Sequence, residues 1–359
     1  MSPRIYLAID NCFASKRWCE VDEWMGVVKD LGVKFVEASA DNEIDPLYST
    51  REHMKAWTAE VLRSSVRTGI EVVNCYSGHG TYSTLGLAHH DEGVRRHLRD
   101  NWMAVMMRTA GSIGAGLGFF AHAFSERVLR QRRSFEEAYS QLIGVLQELR
   151  VVAEEENCRT FAIEQMYTPH QVPWTLTGSA DFLRKVNSSR KGRPLYLTLD
   201  SGHQSGQRNY TVPSDEQLEG MIRALGRGER TGVYLGPREC YQRFEDQVSR
   251  GCSFADLRQS VDELVKECPH LFAAEEDGDT YLWLERFGCY SPIVHLQQTD
   301  GRVSAHRNFT PEWNKRGIIE APRVLDSLRA SYARSVPEGF PPKVDTIYLT
   351  LEPFLSTAC

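Results

Sequence analysis

The chain has 359 residues, 41% of them hydrophobic and 25% charged, and its 42 basic and 48 acidic side chains leave a formal net charge of -6. That composition describes an ordinary globular chain with ample core and excludes disorder, collagen and coiled coil. The slight acidity and scattered basic residues argue against nucleic acid as a partner.

Nine cysteines never form a C-x-x-C pair and are too sparse for a disulfide scaffold, so the expectation is reduced thiols in a cytoplasmic protein. The N-terminus, Met1-Ser2-Pro3-Arg4, runs at once into a strand-like segment without the regions of a signal peptide. The uncharged stretch Thr109 to Ser125 is 17 residues with four glycines. A membrane helix needs roughly 20 apolar residues, so no membrane partner is expected.

In chain order, eight short β-branched or aromatic runs alternate with segments of helical period. They are Arg4 to Asp10, Val33 to Ala38, Glu71 to Tyr76, Gly116 to Ala121, Thr160 to Glu164, Leu195 to Asp200, Ile293 to Gln297 and Thr346 to Glu352. Alternation of this kind predicts parallel strands joined by crossover helices. Trp24, Val27, Val28 and Leu31 form an apolar stripe before Gly32, and Met54, Trp57, Val61 and Val66 another before Gly69. Ser134 to Glu156 is the clearest helix, with Ser134 and Glu137 read as a capping box.

Eight such units favour a single α/β domain over residues 1–359, a closed (β/α)8 TIM barrel, because closure pairs every strand edge. The rival nucleotide-binding sheet lacks its fingerprint, since Gly114, Gly116 and Gly118 follow a helix rather than a strand. Asp200 to His295 is 95 residues, against 36 from Glu164 to Asp200. The excess predicts a helical insertion over residues 205–290, with helices at Asp215 to Leu225, Ser253 to Cys268 and Thr280 to Arg286, packed over the barrel mouth as a lid.

Functional side chains of such a barrel stand at the C-terminal ends of its strands. At or near the ends of the last four runs stand Glu164, Asp200, His295 and Glu352, three carboxylates and one imidazole. One strand-end carboxylate is most simply half of a salt bridge; four converging polar groups call for a positive charge between them. A single divalent cation answers that need, and the oxygen-rich donor set suits manganese, magnesium or cobalt, with zinc as a further candidate.

Here the chain resembles the xylose-isomerase-like superfamily of sugar and sugar-phosphate isomerases and epimerases, in particular the ketose 3-epimerases. Glu164 stands in Ile-Glu-Gln-Met, Asp200 and His203 in Asp-Ser-Gly-His, His295 in His-Leu-Gln-Gln-Thr-Asp-Gly, and Glu352 in Leu-Glu-Pro-Phe. In that superfamily the four positions hold one divalent metal. Residues 164–175 and 202–207 look most like the tetrulose-phosphate epimerases of erythritol catabolism.

The resemblance implies a small carbohydrate substrate and proton abstraction beside a ketose carbonyl through a metal-stabilised ene-diolate. Glu164 and Glu352 serve as the acid-base pair on opposite faces. His203, Arg208, Arg302, His306, His79 and Glu37 are candidates for substrate binding, the arginines for a phosphate. A lyase or dehydratase on the same scaffold is the alternative. A nuclease of the endonuclease IV kind fits poorly, for want of further strand-end histidines and a basic crescent. A homo-oligomer is compatible with the sequence.

Overall fold

A computed structural model describes residues 3–78, 84–121 and 124–353. Eight strands alternate with helical segments: β1 (Arg4–Asp10), β2 (Phe35–Ser39), β3 (Glu71–Ser77), β4 (Gly116–Phe119), β5 (Phe161–Glu164), β6 (Leu195–Asp200), β7 (Ile293–Leu296) and β8 (Thr346–Leu351). All pair in parallel and in sequence order, and β8 closes on β1 through six register pairs from Arg4–Thr346 to Ile9–Leu351. The result is a (β/α)8 TIM barrel. β4, β5 and β6 are buried along their whole length, which is why they read as apolar runs rather than alternating ones.

The helices cover the barrel with the faces that their period supplies. Helix Arg51–Thr68 is capped by Thr50, whose hydroxyl accepts from the His53 N–H, and stops at Gly69, whose φ of 78° places it in the left-handed region. Met54, Trp57 and Val61 are buried, but Val66 is 90% exposed; likewise Trp24 and Val28 are buried and Leu31 is 59% exposed. In both cases the last residue of the stripe lies beyond the reach of the barrel wall.

The helix expected from Ser134 begins instead at Arg132 and runs to Glu155, with no side-chain cap. Arg132–Glu136 and Arg133–Glu137 pairs one turn apart support the earlier start and draw Glu137 away from Ser134. β2 starts two residues later than its apolar run, and β4 ends at Phe119. Ala121 makes an isolated antiparallel bridge to Val172 in the loop after β5.

Between β6 and β7, helices Asp215–Leu225, Arg238–Ser249 and Phe254–Glu267 enclose a small apolar cluster of their own, made of Leu218, Met221, Leu235, Phe244, Leu257 and Val261. Ser253 and Asp256 form the capping box of the third helix. The middle helix was not anticipated, because Arg238, Glu239, Arg243, Glu245 and Asp246 mask its three-residue apolar period. The segment is tied to the carboxyl-terminal side of the barrel: the Leu176 N–H donates to Asp277 Oδ1 at 2.6 Å, and His270 Nε2 lies 2.9 Å from Leu129 O. Trp174, Tyr210, Tyr234 and Phe272 stack edge to face across the seam. No helix among the described residues is long and apolar enough to cross a membrane.

Candidate active site

Asp200, the last residue of β6, is the hub of the mouth. It is 1% exposed, and its Oδ1 accepts from the backbone N–H groups of Gly202 and His203 at 2.6 and 3.2 Å. Gln297, just past β7, donates Nε2 to both carboxylate oxygens at 2.9 and 3.0 Å. Donor atoms of Glu164, Asp200 and His203 lie within 4.8 Å of one another, and so do those of Asp200, His306 and Glu352. His203 Nδ1 is 2.7 Å from Gln165 O, which leaves Nε2 facing Asp200 Oδ2 at 3.9 Å.

His295 sits between the glutamates. Its Nδ1 is 3.1 Å from Glu164 Oε1 and 3.7 Å from Glu352 Oε1, while Nε2 is 2.9 Å from Glu37 Oε2. Glu37 is fully buried behind His295, and Asn74 Nδ2 donates to its other oxygen at 2.8 Å. A register shift between Val36 and Glu37 in the β2–β3 pairing sets Asn74 opposite Glu37.

These surroundings drive the carboxyl groups apart. Burial pushes Glu352 well above the usual carboxylate range; His295 opposes this, and the Asp200 and Glu164 charges reinforce it. Burial raises Glu164 too, but the charge of His203 and the hydrogen bond and charge of His295 more than reverse it. Asp200 is held down at about 2, because His203, His306 and His295 outweigh its burial. His295 would be lowered by burial alone, yet the charges of Glu37 and Glu352 and its bonds to Glu164 and Glu37 raise it well above the ordinary imidazole value.

The donor set fits a hard divalent ion. Such an ion holds opposing ligands roughly 4–5 Å apart, close to the spans seen here. Glu352 Oε2 is also a buried oxygen that accepts no hydrogen bond among the described residues, with His306 Nδ1 3.0 Å away.

The Arg208 guanidinium donates to Gly301 O at 3.2 Å and Gly278 O at 3.1 Å, strapping the insertion to the β7 loop. Arg302 is exposed on that loop. His79 lies outside the described residues. Two groups went unread in the sequence. Tyr76, near the end of β3, donates its hydroxyl to Glu164 Oε2 and packs edge-on against His295. Gln297 is the other, and both are uncharged; an apolar run ended by any hydrogen-bonding side chain would have flagged them.

A parallel barrel of eight strands whose carboxyl-terminal mouth gathers three carboxylates and three imidazoles defines the class. A family model described as Xylose isomerase-like TIM barrel matches residues 25–336, and the chain belongs to that family. A protein assigned as a xylose isomerase, from Rhodospirillum rubrum, superposes with a TM-score of 0.68 at 17% identity, covering 99% of this chain and 93% of that one. An L-ribulose 3-epimerase gives 0.55 at 12% identity, with 99% and 82% covered. At such identities the likeness is one of fold. No curated protein matches the chain by sequence.

Proposed function

We propose that the protein is a divalent-metal-dependent carbohydrate epimerase or isomerase that moves a proton on the carbon next to a ketose carbonyl. The observation that carries this reading is the pair Glu164 and Glu352. They flank one imidazole from non-adjacent strands, and their surroundings shift their pKa values in opposite directions, Glu164 down and Glu352 up.

Glu164, Asp200 and Glu352, with an imidazole, are the residues to hold the ion; manganese, magnesium or cobalt suits them best. When bound, it supplies Lewis-acid polarisation of the substrate's carbonyl and adjacent hydroxyl oxygens. Glu164, ionised and oriented by Tyr76, removes the proton. Glu352 returns one from the opposite side, which inverts the carbon. His203, fixed through Gln165 O, is placed to hydrogen-bond a substrate hydroxyl beside Asp200.

The resemblance of residues 164–175 and 202–207 favours a tetrulose phosphate and 3-epimerisation. Residues 205–290 act as a lid over that substrate, and the free thiols of the described cysteines accord with a cytoplasmic enzyme. The test is incubation of the metal-loaded protein with C4 to C6 ketoses and their phosphates in deuterated water, read by NMR. Deuterium uptake at a single carbon with recovery of the epimer supports the reading. An unsaturated product, or no exchange with any ketose, defeats it.

A further inference from the structure

His295 closes β7 among apolar residues, yet both of its ring nitrogens face carboxylates within 3.1 Å, Glu37 below and Glu164 beside it, in a fully buried pocket. Two residues further along the same face of the chain, one step nearer the rim, stands not an imidazole but the amide of Gln297. Gln297 joins two things: its Nε2 holds Asp200, and its Oε1 accepts the backbone N–H of His306 at 2.7 Å.

The chain reaches His306 by doubling back. Gln298 and Arg307 exchange backbone hydrogen bonds of 2.8 and 3.3 Å, so residues 299–306 form a loop that returns to the mouth. At its end His306 takes a φ of +44°, a left-handed conformation that non-glycine residues adopt at a cost. That turn puts Nδ1 3.0 Å from Glu352 Oε2, within the same donor group as Asp200.

We infer that His306, brought in by the β7 loop and fixed by Gln297, supplies the nitrogen ligand of the metal site, and that His295 is a positioning residue bridging Glu37 and Glu164. This rests on the metal-dependent reading above and reassigns one of its ligands. The inference gives the loop a task that no apolar contact explains: it carries a donor to a carboxylate oxygen that otherwise accepts no hydrogen bond among the described residues.

The test is Mn2+ titration of the full chain by isothermal calorimetry, together with electron spin echo modulation of the bound Mn2+. Nitrogen modulation reports a directly coordinated imidazole whatever the activity. Wild-type protein is expected to bind one ion with nitrogen modulation, and Asp200→Asn to bind none. His306→Ala, a partly exposed loop position that should leave folding intact by circular dichroism, is expected to weaken binding at least tenfold and abolish the modulation. His306→Gln should do the same with little change in size. His295→Gln and His203→Gln are expected to keep it. Modulation that survives in both His306 variants and vanishes in His295→Gln or His203→Gln overturns the assignment while leaving the metal site standing. Equal uptake by wild type and Asp200→Asn, without modulation, would remove the metal-dependent reading and this inference with it.

Discussion

Gln297 grips Asp200 by both oxygens, so the central carboxylate of the mouth is oriented from across the β6–β7 seam as well as by the turn that follows its own strand. Gly202 is the condition for this grip, because a Cβ there would lie 2.4 Å from the Gln297 amide carbon. Gln297→Leu keeps the volume and removes both contacts. It should weaken Mn2+ binding about 10–100-fold with the fold intact, the usual effect of losing a group that orients a ligand, read by calorimetry. Gly202→Ala should act in the same direction by pushing the amide aside.

Glu352→Gln should lose solvent-deuterium exchange at the reacting carbon by about 10²–10⁴-fold, the range for removing a general acid or base. Glu164→Gln should be at least as severe, since it also removes a partner of His295. Retained exchange in Glu352→Gln, measured by NMR on correctly folded protein, would rule out the two-carboxylate mechanism.

Tyr76→Phe removes the hydroxyl that donates to Glu164 Oε2. A hydrogen bond to the ionised form favours ionisation, so its loss should raise the Glu164 pKa. The acid limb of the kcat/KM profile should therefore move to higher pH by roughly one unit. An unmoved limb would show that Tyr76 only packs against His295.

Glu43 offers a pH effect remote from the chemistry. Burial pushes it up to about 7, although its Oε1 accepts from Asn11 Nδ2 at 2.9 Å. A carboxyl raised on folding keeps its proton while the unfolded chain loses it. Stability should thus fall as pH rises from about 4.5 to about 7 and level off above, a loss of about 3 kcal/mol. Glu43→Gln retains the Asn11 contact and should flatten this decline, as measured by urea unfolding at pH 5 and pH 8.

How far the chain could be read in advance depended on whether a signal was local. An apolar run stopped by a charged residue is a local signal, and Glu164, Asp200, His295 and Glu352 converge where their strands end. Glu37 carries the same signal, but its partners Asn74 and His295 come from β3 and β7 and are not written in the spacing of β2. His306 was legible only as a loop histidine: its approach to Glu352 depends on a backbone bridge and a positive φ, neither written in residue spacing. Nothing local reveals that Arg208 donates to two carbonyls, 70 and 93 residues away in sequence.

The separate apolar cluster of the β6–β7 insertion has a consequence for how such a barrel can vary. Leu218, Phe244, Leu257 and their neighbours hold three helices together without drawing on the barrel's own interior. The insertion can therefore be lengthened, trimmed or exchanged like a cassette while the strands that carry the rim carboxylates keep their own packing.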